Sequence, residues 1–198
     1  IAKPDVIINL AADVNLQNKT KHMDEINFIC PNIIAKYCKK NDAHFIQASS
    51  ILVHGINTNY SIKTKYNPIN YYSKSKLKAD NLIIKTKCRY SILRFGGIYG
   101  KNGPSHLGIN KFINMALQGE KLIFNGNRNN LRNYIFVKDA ARVILKCLKY
   151  KKLGIFYVGG EILSIGLMLE KINKVLEKIE NVLFKVNGEK INNQIINT

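Results

Sequence analysis

The sequence predicts an α/β fold, a doubly wound parallel sheet with helices on both faces. Two observations lead to this prediction. Apolar runs of strand length alternate with longer stretches in which apolar residues recur at helical spacing. The first run, residues 5–12, is apolar almost throughout, which is typical of a strand buried on both faces. A length of 198 residues is enough for roughly one domain with a substantial core.

The first hundred residues alternate regularly between the two kinds of segment. Strands are predicted over residues 5–12, 44–50 and 90–94, with helices over residues 23–40 and 71–85 between them. Pro31 is expected to kink the first helix or to mark a late start. The stretch 56–70 is rich in Asn and Thr and contains Pro68, so we expect a loop there.

Beyond Gly100 the pattern is less regular. Helices are predicted over residues 109–119, 138–149 and 165–179, and strands over residues 121–124, 134–137 and 154–158. The strands here are short and the helices still carry apolar stripes. This half therefore continues the α/β pattern with smaller elements.

The chain is strongly basic, with 31 Lys and Arg against 13 Asp and Glu and a net charge of +18. Such a charge suits a polyanion or a phosphorylated substrate. The lysines are nevertheless spread along the chain, without a long block or interleaved aromatic residues. We therefore expect a solvated, Lys-rich surface and no nucleic-acid partner. A hydrophobic content of 46% excludes a chain that is disordered throughout.

Membrane, export and metal signals are missing from the sequence. There is no apolar run of ~18 residues and no signal-peptide pattern at residue 1. The four cysteines form no CxxC pair, and the four histidines have no metal-ligand spacing. These patterns predict no metal site, no membrane association and reduced thiols in a cytoplasmic protein.

The strongest candidate for chemistry is a tyrosine–lysine pair. Tyr72 and Lys76 are four residues apart, so on the predicted helix they share one face. An ammonium beside the phenol is expected to lower the pKa of Tyr72 from ~10 and make it a usable acid or base. The spacing alone is weak, because Tyr134 and Lys138 show it too, in a strand-like context. The position of Tyr72 and Lys76 in the chain favours a catalytic role for this pair. Ser50 ends a buried strand about twenty residues earlier, and parallel sheets bind ligands at such strand ends.

Six ordered segments resemble the extended short-chain dehydrogenase/reductase family, in its NAD-dependent epimerase/dehydratase group that acts on sugar nucleotides. Residues 49–55, Ser-Ser-Ile-Leu-Val-His-Gly, are similar to its Ser-Ser-x-x-Val-Tyr-Gly, with His54 in place of Tyr. Residues 68–76 are similar to its Pro-x-x-x-Tyr-x-x-Ser-Lys. Residues 4–12, 92–100, 126–139 and 156–160 match further motifs, and Asn27 lies where the family's helix carries an Asn.

The resemblance implies a Rossmann-like fold and a division of the chain. Residues 1–100 would be the C-terminal part of an NAD(P)-binding domain. Residues 101–198 would be mostly a smaller α+β substrate-binding lobe, with some segments returning to the Rossmann sheet. The cofactor implied is NAD or NADP.

The resemblance also implies roles for individual residues. Tyr72 would exchange a proton with the substrate, with Ser50 on the same oxygen and Lys76 on the nicotinamide ribose. The remaining contacts implied are Ala11 and Ala12 lining the dinucleotide site, Phe95 near the nicotinamide, and Arg132 on the substrate diphosphate. Simpler alternatives stay open: small core residues at 11 and 12, a core Phe95 and a surface Arg132.

The sequence departs from the family pattern at its start. The family opens with a strand and a Gly-x-x-Gly-x-x-Gly turn that binds the cofactor pyrophosphate, and neither is present. We therefore expect an incomplete sheet that begins at the family's fourth strand. The residue that selects NAD or NADP is missing with it.

The two residues after Ser50 limit which of the family's reaction types we expect for this chain. The family's dehydratases resemble one another in carrying Asp-Glu there, whereas this chain has Ile51 and Leu52, which cannot transfer protons. We expect a sugar-nucleotide epimerase, although Gly97 stands where many 4-epimerases have Asn. Two alternatives remain, a 4-keto-deoxysugar reductase of the dTDP-4-dehydrorhamnose type and a non-catalytic basic binding protein. A homodimer is a further expectation, because two-helix dimer interfaces are common in the family.

Overall fold

The computed structural model describes residues 3–56, 58–61, 63–176, 183–185 and 194–196. The strands described are β1 Val6–Asn9, β2 His44–Ser50, β3 Thr58–Tyr60, β4 Arg89–Phe95, β5 Gly97–Tyr99, β6 Ile123–Asn125, β7 Leu131–Phe136, β8 Gly154–Val158, β9 Glu161–Ser164, β10 Leu183–Lys185 and β11 Gln194–Ile196. The α-helices described are α1 Cys30–Asn41, α2 Tyr71–Thr86, α3 Gly108–Leu117, α4 Val137–Lys149 and α5 Ile165–Leu176. A π-helix, Glu25–Ile29, precedes α1, and a 3₁₀ turn, Ile51–His54, follows β2.

The main sheet has four parallel strands in the order β1-β2-β4-β8. Its carboxyl ends lie at one edge, because Ser50 pairs in register with Phe95, and Phe95 with Val158. Strand β8 comes from the second half of the chain and forms the edge of this sheet opposite β1. The predicted α/β fold with a parallel sheet is confirmed.

Both faces of the main sheet are covered, as expected for a doubly wound fold. Successive side chains of a strand point to opposite faces. On β2, Phe45 therefore packs toward α1 and α2, while Ile46 packs toward α4. The first core also contains Ala35, Cys38, Ile83 and Ile92, and the second Leu93, Ile135, Ala140, Cys147 and Val158.

The smaller part of the molecule is built around a second sheet, β5-β7-β9. Strand β7 runs parallel to β5 and antiparallel to β9. Helices α3 and α5 pack together, and their apolar side chains share a core with Tyr134 and Leu163 of the sheet. Two short parallel pairs, β6-β10 and β3-β11, are also formed.

Several predicted boundaries differ from the structure, most of them around short elements. Strand β1 ends at Asn9 instead of residue 12, and the Asn9 side chain donates to Gln47 and accepts the amide of Ala11 at this end. The helical segment begins at residue 23, as predicted, and contains the π-helical turn Glu25–Ile29 directly before Pro31, so a local irregularity in the helix, and not a late start, accompanies the proline. Strands β3, β5 and β9 were not predicted, since three or four residues show no periodicity. The predicted helix end at residues 177–179 lies outside the described residues.

Candidate active site

Helix α2 begins at a point that brings Tyr72 into its first turn. Asn70 caps the helix, with its Oδ1 accepting the Ser73 amide at 2.8 Å, and the Ser73 hydroxyl accepts the Asn70 amide at 3.2 Å. This reciprocal capping box satisfies two amides that would otherwise have no helical partner. The start of the helix, and with it the place of Tyr72, is therefore fixed by local side chains.

One face of α2 lies along the carboxyl end of β2. The Lys76 Nζ donates to the Ala48 carbonyl oxygen at 2.6 Å, and Lys76 is 2% exposed. One turn earlier, the phenol of Tyr72 interacts with the Ser50 hydroxyl. The structure thus brings Ser50, Tyr72 and Lys76 together, as the family resemblance implied.

Burial controls the protonation of this pair. It raises the pKa of Tyr72 to about 12, with the Ser50 hydroxyl opposing the shift and the charge of Asp80 adding to it. Burial also lowers the pKa of Lys76 to about 8, and here Asp80 opposes the shift. The expected lowering of the Tyr72 pKa is wrong in direction. The reason is that loss of water around the phenol is the largest effect on its pKa, while the Lys76 ammonium bonds a backbone carbonyl.

A 3₁₀ turn, Ile51–His54, follows Ser50 at this end of the sheet. The Ser50 Oγ accepts the Leu52 amide at 3.2 Å and caps the 3₁₀ turn. Gly55 follows with φ of 84°, and a Cβ there would lie 2.7 Å from the Asn67 carbonyl oxygen. Glycine is needed at this position, both for the positive φ and for the close approach.

Asn27 connects the loop after β1 to α2. It is fully buried in the π-helix, where its side chain pairs with both the amide and the carbonyl of Asp13 at 2.8 Å. Its Nδ2 also lies 3.1 Å from the Ser75 Oγ, and that hydroxyl donates to the Tyr72 carbonyl oxygen. π-Helical turns are often found at functional sites. Through Asn27, this one bonds both the loop after β1 and helix α2.

A buried ion pair that the sequence patterns did not predict joins Asp80, on the same helix as Tyr72 and Lys76, to Arg94 on β4. The Arg94 Nε donates to the Asp80 Oδ2 at 3.1 Å, with both side chains 1% exposed. The Ser49 hydroxyl donates to the same carboxylate oxygen at 3.0 Å. The signals available were a charged residue inside an apolar strand and an acid two turns after Tyr72 on the same helix face.

The other end of the Arg94 guanidinium is held by aromatic side chains. It donates to the hydroxyls of Tyr157 at 3.0 Å and Tyr66 at 3.1 Å, and its carbon lies 4.9 Å from the centre of the Tyr66 ring. His54 lies 2.8 Å from the Tyr157 hydroxyl and stacks on Tyr66. Burial lowers the pKa of His54, which favours its neutral form.

The residues implied for the cofactor lie near the same strand ends. Ala11 and Ala12 follow β1 in an exposed loop, so the alternative of two small core residues is wrong. Phe95 ends β4 opposite Ser50, is 5% exposed and packs with Ile46 and Val158. It is therefore a core residue at the edge of the site.

Arg132 lies in the second sheet, on β7, and is half-buried rather than a plain surface cation. Burial lowers its pKa, and the charges of Tyr134 and Tyr60 oppose that shift. Tyr60 packs on Ile51, the residue after Ser50. Arg132 thus lies near Tyr60, which packs on the residue after Ser50, and its Nη1 donates to the Leu131 carbonyl oxygen at 2.9 Å.

The second tyrosine–lysine spacing has a different setting. Tyr134 is a core residue of β7, and Lys138 lies in α4, so the two share no helix face. Burial raises the pKa of Tyr134 to about 12, as it does for Tyr72. The four-residue spacing therefore does not distinguish the two pairs. Their places in the fold do, because Tyr72 contacts Ser50 at the end of β2 whereas Tyr134 lies in the core on β7.

Over residues 3–56, 58–61, 63–176, 183–185 and 194–196, no helix has the length and apolar character to cross a membrane. Within the same ranges, no group of three His, Cys, Asp or Glu side chains is placed to hold a metal ion. The four cysteines are free thiols.

Comparison with known proteins identifies the family. The sequence matches the NAD dependent epimerase/dehydratase family over residues 1–165. The chain belongs to this family. Ser50, Tyr72 and Lys76 all lie within the matched residues.

Individual relatives show how much of the chain is shared. The dTDP-D-glucose 4,6-dehydratase of Dictyostelium discoideum is 30% identical over 196 residues, 86% of this chain and 45% of that protein. A putative UDP-glucose 4-epimerase of Methanocaldococcus jannaschii is 26% identical, over 82% of this chain and 55% of that protein. The chain thus spans about half the length of these relatives. The crystal structure of UDP-N-acetylglucosamine 4-epimerase from Bacillus cereus superposes with a TM-score of 0.86 at 26% identity, covering 98% of this chain and 68% of that one.

Proposed function

We propose that this protein acts on the sugar of a nucleotide sugar as an NAD-dependent enzyme of the 4-epimerase type. The observation that supports it most is the contact of α2 with the end of β2, where Tyr72 meets Ser50 and Lys76 lies one turn away. A proton donor, a hydroxyl and an ammonium on rigid elements are the parts that alcohol–ketone chemistry needs.

The residues at the strand ends fit a dinucleotide. Ala11 and Ala12 leave an open, exposed loop after β1, and small side chains let a ligand approach the backbone. The Lys76 ammonium has three N–H donors, and within the described residues one of them is bonded, to Ala48. It is suited to a ribose hydroxyl. When bound, NAD supplies a reversible hydride acceptor.

Tyr72 carries the proton step in this proposal. A phenol with a raised pKa is protonated at neutral pH, so Tyr72 carries the proton that a sugar ketone oxygen receives when it is reduced. In the opposite direction the phenolate of Tyr72, which the Lys76 ammonium stabilises, takes the proton of the sugar hydroxyl and becomes the phenol. Ser50 donates a hydrogen bond to the same substrate oxygen.

The epimerase type is favoured over a dehydratase by the residues next to Ser50. Eliminating water from the sugar requires an acid close to the leaving hydroxyl. The turn after Ser50 offers Ile51 and Leu52 instead, and Ile51 is buried against Tyr60. Reduction of a 4-keto-deoxysugar remains the alternative, because it uses the same Tyr72 proton.

Arg132 is proposed to hold the diphosphate of the substrate. Its guanidinium can bond two phosphate oxygens at once, which a lysine cannot do. Arg132→Ala should raise KM for the nucleotide sugar, and Arg132→Lys should recover only part of the affinity. An unchanged KM in Arg132→Ala would remove this assignment.

A homodimer in the cytoplasm completes the proposal. Ile29, Ile33 and Tyr37 lie four residues apart, from the end of the π-helix into α1, and are 45%, 62% and 37% exposed, which is unusual for one apolar face. Ile33→Lys should shift the sedimentation of the chain from dimer to monomer, and a monomeric wild type would contradict the proposal.

Cys38 and Cys88 are buried free thiols near one another, which suits a reducing compartment.

The activity is tested with the chain alone and with the chain joined to the amino-terminal part of the Bacillus cereus 4-epimerase. Each protein is incubated with NAD and, in turn, UDP-glucose, UDP-N-acetylglucosamine, UDP-glucuronic acid and dTDP-glucose. An epimerase gives the 4-epimer without net NADH, whereas a reductase consumes NADH or NADPH on a 4-keto-6-deoxy sugar. A folded fusion that binds NAD and converts none of these sugars would overturn the proposed function.

A further inference from the structure

Two strands of the main sheet continue into the second sheet, and they separate on the way. Strands β4 and β8 are neighbours in the main sheet, and their pairing extends to the Gly96 amide, which donates to the Val158 carbonyl oxygen at 2.9 Å. After short glycine connections the same two segments become β5 and β9, and β7 lies between them. This fork, formed by Gly96, Gly159, Gly160 and Asn133, lies at the carboxyl end of the main sheet.

The side chain of Asn133 fills the point where the two segments separate. Asn133 lies on β7 and is 2% exposed. Its Oδ1 accepts the Gly160 amide at 3.0 Å, and its Nδ2 donates to the Gly160 carbonyl oxygen at 3.4 Å. One side chain thus provides partners for both backbone groups of Gly160, where the chain passes from one sheet to the other.

The glycines of the fork leave the room that this side chain needs. A Cβ at Gly96 would lie 2.9 Å from the Asn133 Oδ1 and equally close to its carbonyl oxygen. A Cβ at Gly159 would overlap the Asn133 Oδ1, and one at Gly160 would overlap the Tyr134 carbonyl oxygen. Because backbone encloses the Asn133 side chain from both strands, the side chain has one position available.

The fork lies between the two parts of the proposed site. Ser50, Phe95 and Val158 are in register across the main sheet, and the fork begins one residue beyond Phe95. Arg132 directly precedes Asn133 on β7. Because successive side chains of a strand point to opposite faces, holding Asn133 on one face fixes the point from which Arg132 extends on the other. The distance between Ser50 and Arg132 therefore depends on the fork.

We propose that Asn133 is a positioning residue, which holds Arg132 at a fixed distance from the main-sheet strand ends and so sets the affinity for the diphosphate of a nucleotide sugar. The substrate has to reach from Arg132, at its diphosphate, to Ser50 and Tyr72, at its sugar. Groups on two sheets match one ligand only when the sheets keep a constant relative position. The role in binding rests on the proposed function of Arg132, whereas the hydrogen bonds of the fork do not.

A matched control is available in Asn110, which is buried in a similar way. It lies on α3, is 1% exposed, and its Oδ1 accepts the Gly100 amide at 3.2 Å. Its Nδ2 lies 3.4 Å from the carbonyl oxygens of Ile98 and Pro104. Asn110→Ala therefore also removes an asparagine that bonds the backbone, and none of these contacts involves a residue of the fork.

The first measurement is amide hydrogen exchange of the 198-residue chain, followed by NMR. In Asn133→Ala the Gly160 amide loses its acceptor, so its exchange should accelerate by about tenfold or more. The amides of Ile46 and Leu93, inside the main sheet, should keep their rates. Gly159→Ala should accelerate exchange at Gly160 too, because the added methyl displaces the Asn133 side chain, and it replaces Asn133→Ala if that variant does not fold. An unchanged rate at Gly160 in a folded variant would overturn the proposal.

The second measurement is calorimetry of UDP, dTDP and NAD binding to the fusion with the Bacillus cereus amino-terminal part. Asn133→Ala should weaken binding of the tighter nucleoside diphosphate by about tenfold or more, as expected when one charge-assisted hydrogen bond is lost, with NAD affinity unchanged. In an Arg132→Ala background the same change should have no further effect, because Asn133 acts through Arg132. Asn110→Ala should lower the melting temperature and leave diphosphate affinity unchanged.

In an active fusion the same effect is read from the kinetics. Asn133→Ala should raise KM for the nucleotide sugar by a similar factor, with a smaller change in kcat, whereas a variant that only loses stability would lose kcat at an unchanged KM. An equal loss of affinity in Asn110→Ala, or a further loss in the double variant with Arg132→Ala, would overturn the positioning role. A wild-type fusion that binds neither UDP nor dTDP would remove the diphosphate site, and this proposal with it. One that shows the expected binding and converts no sugar would count against the proposed function alone.

Discussion

Replacing Arg94 by Met should cost the chain about 3–5 kcal/mol in free energy of unfolding, because it breaks a buried ion pair and leaves one charge without its partner. Arg94 and Asp80 are each 1% exposed, so water cannot take the place of the guanidinium. The change also removes the donors that reach the Tyr157 and Tyr66 hydroxyls. Asp80 already has one oxygen without a partner among the described residues, so its burial would become still less favourable.

The assay is urea denaturation followed by circular dichroism at pH 7, with the midpoint and slope compared between variants. Arg142→Met is the matched control, because Arg142 pairs with Asp139 at 2.6 Å on an exposed face of α4. Surface pairs of this kind contribute about 0–1 kcal/mol. The double variant Asp80→Asn/Arg94→Met should be less destabilised than Arg94→Met alone, since it removes the uncompensated charge. A loss in Arg94→Met no larger than that in Arg142→Met would refute the reasoning.

Two further predictions concern stability. Because the folded chain lowers the Lys76 pKa from its ordinary value of 10.5 to about 8, the unfolded chain binds more protons between these values, and the free energy of unfolding should rise with pH there. Lys76→Met should abolish that part of the rise in denaturation measured from pH 7 to 10, and an identical pH dependence would show that Lys76 titrates normally. Gly55→Ala should destabilise the chain more than Gly119→Ala, since both glycines have positive φ but only a Cβ at 55 meets another atom, the Asn67 carbonyl oxygen at 2.7 Å. Equal decreases in melting temperature for the two variants would contradict the close approach of Gly55 to the Asn67 carbonyl oxygen.

The main sheet and its helices could be predicted because buried parallel strands and amphipathic helices leave strong patterns. The strand over residues 154–158 was predicted with the bounds that the structure shows, and α4 within one residue. The family motifs located Ser50, Tyr72 and Lys76, and the structure brings these three together. Local periodicity and motif order were sufficient for this part.

The remaining features of the fold and the site depend on contacts between distant segments, which the periodicity of a sequence does not show. Strands β5 and β9 are formed by pairing with β7, and their three or four residues carry no pattern of their own. The pair of Asp80 with Arg94 joins a helix to a strand, so neither residue reveals its partner within its own segment. The pKa of Tyr72 depends on burial more than on its neighbour four residues away, and a sequence shows spacing but not burial.

The most direct test of the central claim is the turnover of Tyr72→Phe in the fusion with the Bacillus cereus amino-terminal part. The phenol is lost while the ring keeps its packing, so NAD binding should persist and kcat should fall by about 10²–10⁴-fold. Tyr90→Phe is the control, because Tyr90 lies at the amino end of β4, away from the strand ends that carry Ser50. Turnover should be unchanged there. Full activity of Tyr72→Phe with NAD bound would contradict the assignment of the proton step to Tyr72.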